Sequence, residues 1–152
     1  MSIARCACKA VGLRLLKRAP VLHLECGCCD CRQAHEHCAS LGGPQTPSPP
    51  MQQLYYFAND VAPLTAEELE RVRITKLRAS GRSVRLETTC CNSILAVDHA
   101  AYQGNVVMIP SGACELDAPE LPPLARIYMG DWDPALDGPP PQNGPVWPWL
   151  GA

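Results

Sequence analysis

The chain has 152 residues, which is the size of one ordinary domain, and its net charge is −2. Its basic residues are scattered and give no field that would attract a phosphate backbone, so nucleic acid is not an expected partner. The sequence lacks both an apolar run near the ~20 residues of a membrane span and a signal-peptide segment, so we expect a cytoplasmic protein that does not bind membranes.

The chain as a whole predicts short elements, because 16 prolines and 11 glycines interrupt the sequence. Residues 9–25 alternate apolar and polar positions around Gly12 and Pro20, which predicts two strands joined by a turn. Residues 33–43 can form one short helix that ends at the terminal glycine pair of this segment. The proline-rich residues 44–50 are expected to form a loop.

The second half has the rhythm of an antiparallel sheet. Residues 52–59 have strand composition, and residues 63–72 contain a helix start with Thr65 as N-cap and Glu68 three positions later. Further strand-like segments, separated by polar or glycine-containing breaks, are 73–80, 83–89, 93–98, 105–110 and 124–130. The expected fold is mainly β, with antiparallel sheets and one or two short helices.

The ten cysteines favour metal binding over disulfides, because thiols stay reduced in the cytosol. They form a C-x-C pair, a C-x-C-x-x-C triple, an adjacent pair and three isolated positions: Cys6 and Cys8; Cys26, Cys28 and Cys31; Cys90 and Cys91; Cys29, Cys38 and Cys114. Positions i and i+2 of a strand share a face, and C-x-x-C wraps a turn around an ion. The triple therefore predicts a metal site with an open fourth position, where a thiol or water can bind.

A second metal site is predicted from the two cysteine pairs. Cys6 and Cys8 need partners from elsewhere in the fold, and the other pair in the sequence is Cys90 and Cys91. A four-sulfur zinc site of this kind is closed and structural. Adjacent strand residues point to opposite faces, so both Cys90 and Cys91 can bind one ion only if the backbone bends, and Cys91 is the favoured ligand.

The remaining cysteines and the histidines have less specific patterns. Cys38 and Cys114 are expected to be small buried hydrophobic residues, while Cys29 is a spectator, a resolving thiol or an alternative ligand. A lone histidine is usually a surface residue or a satisfied core residue. His35 and His37 differ because they follow the triple closely, where either can act as a base, a substrate contact or a fourth ligand.

The order of these motifs resembles the CENP-V/GFA family of glutathione-dependent formaldehyde-activating enzymes. The matching segments are CAC at 6–8, CGCCDCR at 26–32, CCNS at 90–93, GACELD at 112–117 and LARIYMGDWDPAL at 124–136. The resemblance implies a β-tent zinc domain over residues 1–137, followed by a proline- and tryptophan-rich tail over residues 138–152.

The resemblance also implies two zinc ions per chain and an activity. The residues that match structural ligands are Cys6, Cys8 and Cys91, and those that match catalytic ligands are Cys26, Cys28 and Cys31. Family members join formaldehyde to glutathione or reverse that step. The implied function is a carbon-sulfur lyase acting on a small-molecule thiol and aldehyde or on their adduct, and we include His35 in the catalytic set.

The chain departs from the family pattern at the second cysteine motif. Thr88 stands where that motif has its first cysteine, and Asn92 stands where it has glycine. Either Cys90 supplies the missing sulfur, or the structural site is three-coordinate or empty. Three thiolates on Zn²⁺ leave a net charge of −1, so we expect a neighbouring donor to offset it, with Arg32, His35 and His37 as candidates.

Two other functions are compatible with the motifs. One is a non-enzymatic zinc module, with closed metal sites and a partner protein or a second copy of the chain bound at residues 146–150. The other is a thiol redox sensor that uses Cys28, Cys29 and Cys31.

Overall fold

The computed structural model describes residues 1–45, 51–139 and 145–147, and within these ranges it contains two sheets and three α-helices. The strands are β1 Ser2–Arg5, β2 Gly12–Leu15, β3 Leu22–Cys26, β4 Gln52–Ala58, β5 Val72–Thr75, β6 Ser83–Thr88, β7 Ile94–His99, β8 Val106–Ser111, β9 Glu115–Asp117 and β10 Ala125–Ile127. The helices are α1 Cys29–Ser40, α2 Ala66–Leu69 and α3 Pro134–Asp137. Single 3-10 turns lie at Ala100–Tyr102 and Met129–Asp131.

The expected mainly β fold is confirmed, and the described strand pairings are antiparallel with one exception. The small sheet has the strand order β2-β1-β9, and the large sheet has the order β10-β3-β4-β8-β7-β6-β5. At the edge of the large sheet, β10 runs parallel to β3, with Ala125 beside Leu24. Most of the chain lies between these two strands in the sequence, and two parallel strands need a long connection of this kind.

Helix α1 begins four positions earlier than the segment that the sequence predicts. Its N-cap is Cys28, whose sulfur accepts a hydrogen bond from the Cys31 backbone N–H. Thiols are not among the side chains that usually cap helices, so the sequence pattern does not indicate this start. The helix ends as expected, because Gly42 follows with a positive φ of 98°.

The large sheet buries both of its faces. On one face, α1 packs Ala34 and Cys38 against the strands at Leu54 and Met108. On the other face, the small sheet covers the large one with the cluster Ala4, Leu13, Leu15, Phe57, Leu95 and Ile109. Each large apolar side chain removed from water here contributes roughly 1.5–3 kcal/mol. The two isolated cysteines Cys38 and Cys114 lie in these clusters, as expected of small buried residues.

The predicted loop at 44–50 and the tail at 138–152 lie mostly outside the described residues. Within the described part of the tail, the backbone N–H of Trp147 donates to the carbonyl oxygen of Arg126, and Val146 forms a bridge beside β10. Trp147 also packs against the cluster under α1. In the described part of the chain, no helix is both long and apolar enough to cross a membrane.

Candidate metal centres

The first candidate centre forms where β3 ends and α1 begins. Cys26 is the last residue of β3, Cys28 caps the helix and Cys31 lies in its first turn, and their three sulfurs are all within 4.8 Å of one another. The Cys31 N–H donates to Cys28 Sγ over 3.3 Å, and the Cys28 N–H donates to Cys26 Sγ over 3.5 Å. The strand-to-helix junction therefore holds the sulfurs together through its own backbone.

The electrostatics of this group suit a cation. Hydrogen bonds from Cys26 and Cys31 and from the Cys31 N–H lower the pKa of Cys28 to about 3, despite burial. The same contact with Cys28 raises the pKa of Cys26. Three neighbouring sulfurs thus share protons that a metal ion would replace, and a soft set of sulfur donors fits zinc. The three cysteines could therefore hold a metal ion.

The three sulfurs form part of the wall of a cleft of about 500 Å³. One part of the wall is apolar and includes Leu24, Leu54, Val97, Met108 and Ile127. Three tyrosines also line it, namely Tyr56, Tyr102 and Tyr128. A metal ion held by the three cysteines would therefore lie beside a space large enough for a small organic molecule.

The segment after β10 closes over the cysteine loop. Asp131 Oδ2 accepts a hydrogen bond from the Cys29 N–H over 3.0 Å. A Cβ at Gly27 would lie 3.3 Å from the carbonyl oxygen of Tyr128, so only glycine fits there without a shift. Tyr128 itself has a φ of 54°, which is uncommon for a bulky residue and is typical of functional sites when it occurs.

Arg32 does not face the cleft, although its position after the triple made it a candidate to offset the thiolate charge. Its guanidinium forms a two-point ion pair with Asp137, with both N–O distances at 3.1 Å, and it lies over the ring of Trp132. Arg32 therefore fastens α1 to the helix α3. The cation that borders both the cleft and Cys31 is Arg85 of β6.

His35 is a neighbour of the first centre rather than a member of it. It lies one helical turn after Cys31, is 1% exposed, and its Nδ1 lies 3.2 Å from Oε1 of Gln52. Its Nε2 has no hydrogen-bond partner among the described residues and faces a small cavity that Cys31 and Arg85 also line. The ring nitrogens are not in the set of ligand atoms that lie within 4.8 Å of one another, and His37 is exposed.

Cys29 is exposed and lies outside the group of three sulfurs. Desolvation and the neighbouring Asp131 raise the pKa of its thiol, which lowers its thiolate fraction at neutral pH. The backbone N–H of Cys29 holds the segment after β10 in place through its hydrogen bond to Asp131. Cys29 borders the cleft, but its sulfur is not one of the converging ligand atoms.

The second candidate centre joins the two sheets. The sulfurs of the two cysteine pairs, Cys6 and Cys8 with Cys90 and Cys91, all lie within 4.8 Å of one another. Both members of the adjacent pair take part because they lie in the turn between β6 and β7, where Asn92 has a φ of 52°. The backbone therefore bends at Cys90 and Cys91, as it must if both are to bind one ion.

Hydrogen bonds around the second centre orient its sulfurs. Burial alone would raise the pKa of Cys91, but hydrogen bonds from Ser93, the Cys8 N–H and Thr88 lower it to about 6. The hydroxyl of Thr88, three positions before Cys91, lies 3.5 Å from Cys91 Sγ. Hydrogen bonds to metal ligands from residues that do not bind the ion themselves fix the orientation of those ligands. The four sulfurs could complete a closed tetrahedral site.

Comparison of the chain with known protein families gives no match, and no curated protein is similar enough to serve as a relative. The geometry of the two cysteine groups, both of which could hold a metal ion, is therefore the basis for assigning a function.

Proposed function

We propose that this protein is a zinc-dependent carbon-sulfur lyase or synthase that acts on a small thiol, a small aldehyde or their adduct. We further propose that it is a divergent member of the CENP-V/GFA family, with two Zn²⁺ per chain. The observation that carries the proposal is the position of Cys26, Cys28 and Cys31, whose sulfurs converge at the wall of a cleft of about 500 Å³.

The three cysteines provide an incomplete set of ligands, since a tetrahedral zinc site needs four. A Zn²⁺ bound there would act as a Lewis acid that favours the thiolate form of a substrate thiol at neutral pH. The residues around the cleft then bind the two reactants side by side, which removes much of the entropy cost of bringing them together.

The reaction that fits the site forms one carbon-sulfur bond. The thiol sulfur adds to the carbonyl carbon of the aldehyde, the carbonyl π bond breaks, and the thiol proton ends on the new hydroxyl oxygen. The reverse reaction breaks the same bond and regenerates thiol and aldehyde. No oxidant or reductant is consumed in either direction.

Tyr56, oriented by Tyr102, is suited to donate a hydrogen bond to the carbonyl oxygen as it gains negative charge. The Tyr102 hydroxyl donates to the Tyr56 hydroxyl over 3.4 Å, which leaves the Tyr56 proton available to the cleft. Burial raises the pKa of both phenols, so both remain protonated donors at neutral pH. A fixed donor in a site with little water stabilises such a charge more strongly than water does.

The cleft also favours the enzyme over a non-enzymatic zinc module. A module needs its metals in closed sites, as Cys6, Cys8, Cys90 and Cys91 would provide. The first centre has three cysteines and an adjoining cleft instead. We propose that the closed four-cysteine centre stabilises the fold and that the open three-cysteine centre takes part in the reaction.

Metal analysis and an exchange assay test this function together. The zinc-loaded protein should contain two Zn²⁺ per chain and should accelerate the exchange of formaldehyde between solution and glutathione, as measured by NMR. Cys28→Ser should lose one metal ion and the activity, whereas the matched control Cys29→Ser should keep both, with folding checked by circular dichroism. A fully loaded protein that accelerates no thiol and aldehyde pair would contradict the proposal.

A further inference from the structure

Arg85 is a buried cation without a partner in the described part of the chain. Its residue is 4% exposed, and no described residue forms a hydrogen bond or an ion pair with its guanidinium. Glu87, two positions along the same strand, is buried to a similar degree but pairs with Arg73 over 3.0 Å and with Thr75 over 2.7 Å. Of these two charged side chains, Glu87 therefore has partners among the described residues, whereas Arg85 has no hydrogen bond or ion pair with any of them.

Arg85 acts through its charge on the thiol of Cys31 and on the carboxylate of Asp30, and that carboxylate is already paired. Both carboxylate oxygens of Asp30 accept hydrogen bonds from Arg78, over 3.1 and 2.7 Å. The Arg85 nitrogens are not among the described side-chain atoms that are both closed to solvent and unpartnered, so the guanidinium faces the space of the cleft. An anionic ligand in the cleft could supply the acceptor that the described residues do not, and a carboxylate matches the forked geometry of a guanidinium.

The register of the sheet aims Arg85 at the cleft. Arg85 lies opposite Val97 on β7, and Ser83 lies opposite His99, so the four side chains share one face. That face is the wall of the cleft that also contains the three cysteines of the first centre. Arg85 can therefore contact a molecule whose sulfur reaches those cysteines.

A second hollow of about 310 Å³ adjoins the cleft at Arg85 and is rich in positive charge. Its wall contains Arg78, Arg82, Arg85 and His99, and Asp30 is the acidic residue among its described wall residues. Basic groups thus outnumber acidic ones at this end of the cleft. This arrangement fits a ligand with an anionic end.

We propose that Arg85 binds the carboxylate of a thiol substrate whose sulfur enters the Cys26, Cys28 and Cys31 centre. The substrate class is then a mercaptocarboxylate or a larger thiol with a carboxylate within reach, and neutral or cationic thiols are poor substrates. The inference rests on the proposed function for the role of the sulfur, but the anion site itself stands on the burial and isolation of Arg85.

A series of small probes tests the proposal by calorimetry on the zinc-loaded full chain. The probes are 3-mercaptopropionate, 2-mercaptoethanol, cysteamine and propionate, which separate the effects of the sulfur and of the charge. A charge-assisted hydrogen bond contributes about 1.5–3 kcal/mol, so 3-mercaptopropionate should bind at least about tenfold more tightly than 2-mercaptoethanol. Cysteamine should bind most weakly of the thiols, and propionate should bind weakly but measurably.

Arg85→Gln should remove the preference for the anionic thiol and abolish propionate binding. Arg85→Lys should keep part of the preference, because charge remains while the two-point geometry is lost. The matched control is Arg71→Gln, since Arg71 is a half-exposed arginine that pairs with Glu67 and does not border the cleft, and it should change nothing. Zinc content and circular dichroism show whether each variant is folded.

The outcomes distinguish the anion site from the proposed function. Equal affinity of the wild-type protein for 3-mercaptopropionate and 2-mercaptoethanol would overturn the anion site even if Arg85→Gln failed to fold. A uniform loss of affinity for all thiols in Arg85→Gln would also overturn it, because Arg85 would then only balance the charge of the metal centre. Propionate binding that depends on Arg85, without binding of any thiol, would support the anion site and contradict the proposed function.

Discussion

The sulfurs of Cys6 and Cys90 lie 3.9 Å apart, although 84 positions separate the two residues in the chain. Cys6 follows the central strand of the small sheet, and Cys90 lies in a turn of the large sheet. A metal ion bound here would therefore tie the two sheets together, and removal of the ion would weaken the whole fold.

This relationship predicts the effect of losing one ligand of the closed centre. Cys90→Ser and Cys91→Ser should each remove about one metal ion per chain and lower the melting temperature clearly, because binding energy at a structural site is folding energy. Metal analysis and thermal unfolding would measure both effects, with Cys29→Ser as an exposed cysteine control. Retention of two metal ions by either variant would exclude that cysteine as a ligand.

Gly43 should be one of the least replaceable residues of the fold. A Cβ at this position would clash with the backbone carbonyl of Asn92 and would lie 2.7 Å from the carbonyl oxygen of Cys38. Gly43 thus lets the end of α1 approach the turn that holds Cys90 and Cys91. Gly43→Ala should lower the free energy of unfolding by about 1–3 kcal/mol through overpacking.

Gly12→Ala is the matched control for this prediction, to be compared by urea denaturation. Its Cβ would meet Ile3 at 3.4 Å, close to an ordinary contact, and Gly12 lies in a strand without a positive φ. We expect a change within about 0.5 kcal/mol for this variant. Equal stability of the Gly43→Ala and wild-type proteins would show that the approach of α1 to the turn is looser than described.

The sequence predicts most strands because their apolar alternation is local. Residues 52–59 contain β4 and residues 83–89 contain β6, and both agree with their predicted segments. The edge pairing of β10 with β3 could not be predicted in this way, since it joins distant parts of the chain in a parallel register. The alternation of apolar and polar residues shows which side of a strand is buried, but the strand that it pairs with depends on the packing of the whole sheet.

The candidate site shows the same division between local and distant information. The spacing of Cys26, Cys28 and Cys31 predicts their convergence, because the three sulfurs depend on one short junction. The buried position of Arg85 could not be predicted, since an arginine between Val84 and Leu86 is the usual solvent-facing residue of an alternating strand. Only the sheet order, which places β6 beside β7 and buries both faces, turns that position inward.

His35 should stabilise the fold beside the first centre without binding its metal. His35→Ala would remove a side chain that is 1% exposed and would enlarge the cavity under α1, so the free energy of unfolding should fall by about 3 kcal/mol. The metal content should stay unchanged, because the ring nitrogens lie outside the group of converging ligand atoms. Denaturation and metal analysis would check the two expectations separately.

His37→Ala is the control for this prediction, because His37 lies two positions along the same helix and is exposed. It should leave both stability and metal content close to those of the wild-type protein. Loss of one metal ion in His35→Ala, but not in His37→Ala, would make His35 a fourth ligand and would close the first centre.

Glu68 should make the stability of the protein depend on acid pH. Its carboxylate accepts the Thr65 N–H of the capping box and pairs with Arg14, and these contacts lower its pKa from 4.5 to about 2. A carboxyl group with a lowered folded-state pKa stabilises the fold above its unfolded pKa and loses that effect as the pH falls. The contribution of Glu68 should therefore be complete above about pH 4.5 and should disappear toward pH 2.

Glu68→Gln tests this expectation by chemical denaturation at several pH values. The variant should be less stable than the wild-type protein by about 1 kcal/mol at pH 7, the usual effect of a helix cap, and the difference should shrink between pH 4.5 and pH 2. Acid also releases metal from thiolates, so each pair of proteins is compared at the same pH and metal content. Glu67→Gln is the control, because Glu67 is exposed and pairs only across the helix surface with Arg71, and its stability difference should be small at every pH. A difference between Glu68→Gln and wild type that stayed constant down to pH 2 would mean that the capping box and Arg14 do not hold this carboxylate in its charged form.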